Sequence, residues 1–193
     1  MSTLHIQPYV YNGKKLKELA ERIVMVFHPI LDDYLVKEEV YDGDVDALLS
    51  RSLSPRAPPY VGHWQFLRYL ASFGTPILGV TILHSDYLGA FGEGSSLTQS
   101  AYVSCARPEF DKVDSKIHME RLLIEGLHEL GHVFDLDHHD DLTRTLNGKL
   151  CPMDTSLSRE AHLRKITWGE YISSRDTDAF CKGCHEKLEL LKK

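Results

Sequence analysis

The pattern of apolar and polar residues predicts alternating strands and helices along the first two-thirds of the chain. Four stretches have the β-rich or continuously apolar character of strands: residues 4–11, 33–41, 76–83 and 101–106. Two stretches carry apolar residues at helical spacing: residues 14–27 and 63–73. Pro29 limits the first of these helices, and Gly74 closes the second as the residue after its C-terminus. This order is typical of an α/β layered domain.

Proline and glycine mark the connections between these elements. Residues 50–60 are predicted to form a loop, because three prolines interrupt any regular pattern there. Residues 89–98 are glycine-rich and follow the third predicted strand. Cys105, within the fourth predicted strand, is most simply interpreted as a core cysteine.

A longer helix is predicted after these strands, with Asp114 or Ser115 as its N-cap. Its apolar residues recur at i, i+4 and i+7 and are expected to pack against the sheet: Met119, Leu123, Leu127, Leu130 and Phe134. A last helix is predicted at residues 186–191.

Length and composition are those of a globular protein with a core of its own. The chain is expected to form a single domain, residues 1–193, with 42% hydrophobic and 26% charged residues. The N-terminus has no charged stretch followed by an apolar one, and no apolar run has membrane-spanning length. The cytoplasm is therefore the expected location, and a monomer is the default expectation.

Charge and cysteine content narrow the possible partners. The formal net charge is −6 and the Lys and Arg residues are scattered, which argues against binding to nucleic acid or to a membrane surface. In a reducing compartment the four cysteines are expected to be metal ligands or core residues rather than disulfides.

Candidate chemistry lies in the longer helix, where the pattern His128-Glu129-x-x-His132 is followed by His138. On a helix His128 and His132 lie one turn apart on one face, so both imidazoles can bind one metal ion. Glu129 lies near the metal's open position, where it can take a proton from a bound water. His138 supplies a third ligand if the chain leaves the helix soon after His132 and turns back. The pattern predicts a zinc hydrolase; the alternative is a surface helix with solvated side chains.

A second constellation lies downstream, in Cys151 and in Cys181-x-x-Cys184. A Cys-x-x-Cys pair alone is a weak signal, but three cysteines can supply most of a tetrahedral structural zinc site. His139 is the first candidate for the fourth ligand and His185 is the second. The alternative is a set of reduced thiols without a metal.

These residues together resemble the archaemetzincins, a family of metzincin zinc metalloproteases. The histidine pattern followed by Met153 is similar to the metzincin zinc motif and Met-turn. Cys151-Pro152-Met153 and Cys181-x-x-Cys184 match two further elements of the archaemetzincin pattern. The resemblance is specific in the motif helix and the cysteine-containing segments after it.

The resemblance implies a metzincin-like α/β domain with a twisted, mostly parallel sheet, an antiparallel edge strand beside the cleft, a motif helix and a C-terminal helix. Residues 89–98 would lie on the rim of the cleft, where an extended peptide can add to the edge by backbone hydrogen bonds. Met153 would form an apolar floor beneath the zinc ligands. Two Zn²⁺ ions per chain are expected, a catalytic one at His128, His132 and His138, and a structural one at His139, Cys151, Cys181 and Cys184.

Three departures from the family pattern are visible. Where the family has a glycine between the second and third histidines, this chain has Asp135. An aspartate tolerates a left-handed turn better than most non-glycine residues. Where the family has a cysteine directly after the third histidine, this chain has His139. The second zinc set is therefore three Cys and one His. The spacings from His139 to Cys151 and from Met153 to Cys181 are longer than in the family, as loop insertions allow. The departures bear more on catalytic efficiency than on metal binding.

The predicted function is a zinc-dependent metallopeptidase that hydrolyses peptide bonds through a zinc-activated water, with Glu129 as general base. Its expected partner is a peptide or protein substrate. The alternative is a non-catalytic zinc protein that binds peptides or a partner through the same cleft. A nucleic-acid-binding zinc module is disfavoured by the acidic charge.

Overall fold

The structure is a computed structural model that describes residues 2–8, 13–28, 30–37, 60–81, 92–104, 115–139, 150–154 and 179–191. The strands in these ranges are β1 (Ser2–Pro8), β2 (Leu31–Val36), β3 (Ile77–Thr81), β4 (Gly92–Ser95) and β5 (Ser100–Ser104). The helices are α1 (Gly13–Val26), α2 (Tyr60–Ala71), α3 (Ser115–Val133) and α4 (Lys182–Leu190). None of these helices combines the length and the apolar character needed to cross a membrane.

The strands form one sheet in the order β2-β1-β3-β5-β4. Neighbouring strands are parallel except at one edge, where β4 runs antiparallel to β5. The predicted α/β class, with a mostly parallel sheet and an antiparallel edge strand, is confirmed.

Side chains alternate between the two faces of the sheet and build two apolar clusters. Leu78 and Val103 belong to the larger cluster, which includes the buried faces of α1 and α3. Ile77 and Tyr102, their neighbours in sequence, pack with α2 on the opposite face. This period of two is the reason why both faces of the central strands are apolar.

The C-terminal segment joins the larger cluster through three aromatic rings. The ring of Phe27, just after α1, lies 5.0 Å from the ring of Phe134 and 5.3 Å from that of Phe180, measured between centroids. Since Phe134 follows α3 and Phe180 precedes α4, this contact packs the ends of three helices together.

The motif helix α3 buries the predicted apolar stripe. Leu123, Leu127, Leu130 and Phe134 are all buried in the larger cluster, as their spacing predicts. The helix begins at Ser115; Asp114 and the side chain of Met119 lie outside the described residues.

Two predicted elements have different bounds in the structure. The second strand starts at Leu31 rather than at residue 33, because buried Leu31 already belongs to the sheet while the polar Asp32 and Asp33 that follow it interrupt the apolar pattern. Residues 38–41 of the predicted strand lie outside the described residues. The last helix begins at Lys182 rather than at residue 186, because Gly183, a poor helix former, hides the start.

Gly74 closes α2 as predicted, although that helix spans Tyr60–Ala71 instead of residues 63–73. Its φ of +136° is a conformation that favours glycine, and its N–H donates to the carbonyl of Ala71 at 3.4 Å. The predicted loop before Tyr60, residues 89–91 and Cys105 lie outside the described residues.

Candidate metal centres

The three motif histidines meet at the C-terminal end of α3. The Nε2 atom of His138 lies 3.0 Å from Nε2 of His132 and 3.1 Å from Nε2 of His128. With Zn–N bonds of 2.0–2.1 Å, tetrahedral geometry places two ligand nitrogens roughly 3.3 Å apart. The donor set and its spacing therefore suit a zinc ion, and these three residues are named the histidine centre.

The chain reaches His138 through a tight turn after α3. Asp135 has a φ of +61°. Its N–H donates to the carbonyl of His132, and the N–H of Leu136 donates to that of Gly131, the two hydrogen bonds of a Schellman motif. Asp135 thus occupies the left-handed position that the sequence predicted for it.

Backbone carbonyls orient two of the imidazoles. Nδ1 of His128 lies 2.6 Å from the carbonyl oxygen of Pro152, and Nδ1 of His132 lies 2.9 Å from that of Leu136. Because a carbonyl can only accept, each Nδ1 carries the proton and each Nε2 keeps its lone pair for a metal.

Burial keeps these imidazoles neutral. It lowers the pKa of His128 to about 4, against an ordinary 6.5. Burial also lowers the pKa of His132. Since only neutral imidazoles bind metals, His128 and His132 are in their ligand form at neutral pH.

Glu129 lies between α3 and the edge strand. Its side chain is 6% exposed, and burial raises its pKa well above 4.5, with the negative charges of Glu125 and Glu93 adding to the effect. A Cβ atom placed on Gly92 would lie 2.8 Å from Cγ and 3.1 Å from Oε1 of Glu129. The carboxyl is therefore held directly against β4.

Gly92 and Gly94 belong to the glycine-rich segment predicted for the rim of the cleft, but their contact with the motif helix was not predicted. A Cβ atom on Gly94 would overlap the main-chain carbonyl oxygen of Glu129, so β4 can lie against α3 only with glycine there. The available signal was their spacing, because residues two apart in a strand share a face.

Met153 lies beneath the motif helix. It is fully buried, and a Cβ atom on Gly131 would overlap its Sδ atom. Gly131 lies two residues after Glu129 and directly before His132, so the methionine contacts the helix where the motif lies. The role of Met153 as an apolar floor beneath a metal stays a prediction of the resemblance.

A second group brings together His139, Cys151, Cys181 and Cys184, whose ligand atoms all lie within 4.8 Å of one another. The Sγ atoms of Cys151 and Cys184 are 4.0 Å apart, and Nε2 of His139 is 3.5 Å from Sγ of Cys181 and 3.4 Å from Sγ of Cys184. Tetrahedral zinc requires roughly 3.8 Å between sulfurs and roughly 3.5 Å between sulfur and nitrogen. These four residues are named the cysteine centre; His185, the alternative candidate, is not in the group.

The thiols of the cysteine centre are buried and reduced. The hydrogen bond with Cys184 lowers the pKa of Cys151 to about 6, and the same contact raises the pKa of Cys184. The N–H of Cys181 also donates to Sγ of Cys151 at 3.4 Å. These hydrogen bonds favour a thiolate at Cys151, the form of cysteine that binds metals.

His139 is held by the segment that contains Cys151. Its N–H donates to the carbonyl of Met153 at 3.1 Å, and it forms a parallel bridge with Asp154. The fully buried Asp154 places Oδ2 3.9 Å from Nδ1 of His139, on the side away from the thiols. A carboxylate on this side of the ring favours Nε2 as the ligand atom.

The fold and the two centres define an α/β domain with one histidine-rich and one cysteine-rich candidate metal centre. Comparison with solved structures refines this class. The archaemetzincin from Archaeoglobus fulgidus, solved in complex with malonate, has a TM-score of 0.59 at 22% identity, over 96% of this chain and 99% of that chain. The chain has the archaemetzincin fold, as the sequence motifs predict.

Two further structures give the same result. A zinc-dependent peptidase from Methanocorpusculum labreanum has a TM-score of 0.58 at 18% identity, over 97% of this chain and 100% of that chain. The archaemetzincin from Methanopyrus kandleri has a TM-score of 0.58 at 22% identity, covering 98% and 94% respectively. No known family profile matches the sequence, and no curated protein does.

Proposed function

We propose that the protein is a zinc-dependent metallopeptidase of the archaemetzincin family. The observation that carries the proposal is the convergence of three Nε2 atoms at the end of the helix that also holds the buried Glu129, the residue after His128. The similarity to a structure described as a zinc-dependent peptidase supports the same reaction class.

His128, His132 and His138 would hold the catalytic metal. When bound, a zinc ion would supply a water of lowered pKa, near ~7, and a polarising charge for a carbonyl group. Glu129 would accept the proton of the attacking water and pass it to the leaving amine. The raised pKa of Glu129 suits this role, because a carboxylate with a higher pKa is a stronger base.

A second zinc ion would be structural. His139, Cys151, Cys181 and Cys184 form a three-cysteine, one-histidine set that leaves no ligand position for substrate. This centre would fasten α4 to the segment after the motif helix.

The edge strand β4 would bind the substrate. It lies at the edge of the sheet, against Glu129, and an extended peptide can add to such an edge through backbone hydrogen bonds. Backbone recognition favours a peptide substrate over other hydrolysable groups.

The substitution Glu129→Gln tests the proposal. The amide keeps the shape of the side chain but cannot accept the proton, so hydrolysis is expected to fall by about 10²–10⁴-fold while zinc remains bound. The measurement combines elemental analysis of zinc with cleavage of internally quenched peptides and of N-terminal aminoacyl fluorogenic substrates. Glu186→Gln, on the exposed face of α4, is the matched control. Undiminished cleavage by the Glu129 variant would contradict the assignment.

The same experiment decides a second candidate function, a peptide-binding zinc protein without turnover. The observation in its favour is the depth at which Glu129 is buried, which favours the protonated carboxyl and opposes proton abstraction. Zinc-loaded wild-type protein that binds extended peptides and cleaves none of them would support this candidate.

A further inference from the structure

One short segment belongs to both candidate centres. In residues 151–154, named the bridging segment, Cys151 supplies a thiol to the cysteine centre. The next residue, Pro152, accepts the hydrogen bond from Nδ1 of His128 in the histidine centre at 2.6 Å. Met153 then lies against Gly131 of the motif helix. Adjacent residues therefore serve different metals.

The chain segment that faces the bridging segment also contributes to both centres. His138 and His139 are consecutive, yet the first belongs to the histidine centre and the second to the cysteine centre. The N–H of His139 donates to Met153, so the two chain segments are hydrogen-bonded to each other between the centres.

A third connection joins α4 to the same region. Nζ of Lys187 lies 2.8 Å from Oδ2 of Asp137, the residue before His138. Because α4 also carries Cys184, the helix is joined to the cysteine centre and contacts the residue next to the histidine centre.

The bridging segment is buried along its whole length. Close-packed segments move as units, because they have no free volume in which one residue can shift alone. A metal that fixes Sγ of Cys151 thus also fixes the carbonyl of Pro152 and, through it, the ring of His128.

We propose that metal binding at the two centres is positively coupled through the bridging segment, so that the ion in the cysteine centre organises the histidine centre for its own metal. The inference rests on the proposed function only in that both centres hold zinc. Coupling free energies between sites correspond to about 5–150-fold in affinity, and they act equally in both directions.

Cys184→Ser tests the first direction. It removes a ligand of the cysteine centre and keeps every residue of the bridging segment, although the contact of Cys184 with Cys151 changes. The dissociation constant of the histidine centre for Zn²⁺ is expected to rise by about 5-fold or more. It is measured against a chromophoric chelator, with Co²⁺ as a second probe because thiolate ligation gives near-ultraviolet bands that imidazole ligation lacks. His185→Ser, the next residue of α4 and outside both groups, should leave the constant unchanged.

His132→Ala tests the reverse direction. His132 bonds to the carbonyl of Leu136 and not to the bridging segment, so its removal disables the histidine centre without cutting the direct contact at Pro152. The affinity of the cysteine centre should fall by the same factor that Cys184→Ser produces at the histidine centre. Circular dichroism establishes that each variant is folded. If Cys184→Ser does not fold, His132→Ala and the wild-type titration decide the question.

Independent binding would overturn the coupling. Its signature is two metals per wild-type chain, with affinities that neither variant changes at the opposite centre. That result would leave the proposed peptidase standing. A wild-type histidine centre that takes up no metal would instead overturn both proposals.

Discussion

At the scale of single residues, Asp135 determines whether the third histidine reaches the other two. Its φ of +61° reverses the chain after α3, and two backbone hydrogen bonds fix the turn. Left-handed conformation costs an L-residue about 1–2 kcal/mol, and less for Asp and Asn than for other side chains. The exposed Asp135 therefore keeps the turn with some strain.

Asp135→Gly should relieve that strain. The free energy of unfolding is expected to increase by up to about 1 kcal/mol, since glycine has no left-handed penalty but loses more chain entropy on folding. Asp135→Val, with a β-branched side chain, should decrease it by about 1–2 kcal/mol. Urea unfolding of the metal-free proteins measures both changes. Equal stabilities for the two variants would contradict the role assigned to the turn.

At the scale of secondary structure elements, the contact of β4 with α3 forms the wall of the candidate active site. The strand approaches the helix so closely that Cβ atoms at Gly92 and Gly94 would meet Glu129. The strand thereby fixes the position of the Glu129 carboxyl.

Gly94→Ala should push β4 away from the helix. The backbone must shift to accommodate the methyl group. The free energy of unfolding is therefore expected to decrease by about 1–3 kcal/mol, and peptide cleavage is expected to be lost. Gly183→Ala is the matched control, because a Cβ atom there meets nothing within 4 Å. It should stabilise α4 by about 0.5–1 kcal/mol. Chemical denaturation and the peptide assay test the pair; an unaffected Gly94 variant would mean that the contact is not needed.

The histidine and cysteine ligands could be predicted from sequence because their spacing is local. His128 and His132 lie on one helical turn, and Cys181 and Cys184 are three residues apart. His139 was ranked before His185, but both stayed open, because the choice depends on where the turn after α3 places the chain. The packing constraint on Gly92 and Gly94 was not predicted for a similar reason: it comes from Glu129, more than 30 residues later.

At the scale of the whole molecule, buried titrating groups make the stability of the metal-free chain depend on pH. The pKa of His128 is lowered to about 4 and that of His132 is also lowered, so from pH 6.5 to pH 4 the folded chain binds fewer protons than the unfolded chain. This contribution to stability is lost as the pH falls through that window. Glu129, whose pKa is raised above 4.5, acts in the opposite sense, and its contribution is lost as the pH rises.

The metal-free Glu129→Gln protein isolates the histidine effect. Its free energy of unfolding is expected to fall by about 3 kcal/mol between pH 7 and pH 4 on account of His128, since each pKa unit corresponds to about 1.4 kcal/mol. Adding His128→Gln should reduce this decrease in stability at acidic pH, while the other carboxyl groups titrate equally in both proteins. Urea titrations across the pH range provide the comparison. The same decrease in the two proteins would exclude His128 as its origin.

The fold class was predictable from the alternation of apolar segments, and the bounds of its elements were less so. Polar Asp32 and Asp33 conceal the start of β2, and Gly183 conceals that of α4. In both cases packing of the whole molecule overrides local preference: Leu31 and Cys184 are buried in the larger apolar cluster.

The contact between Gly131 and Met153 also constrains how this sequence can change over generations. A larger residue at position 131 would overlap the sulfur of Met153, whereas a shorter residue at position 153 leaves room for it. A shorter residue at position 153 can therefore come first, whereas a larger residue at position 131 is opposed as long as Met153 is present. A side chain at position 131 would therefore become acceptable only once a shorter residue stands at position 153.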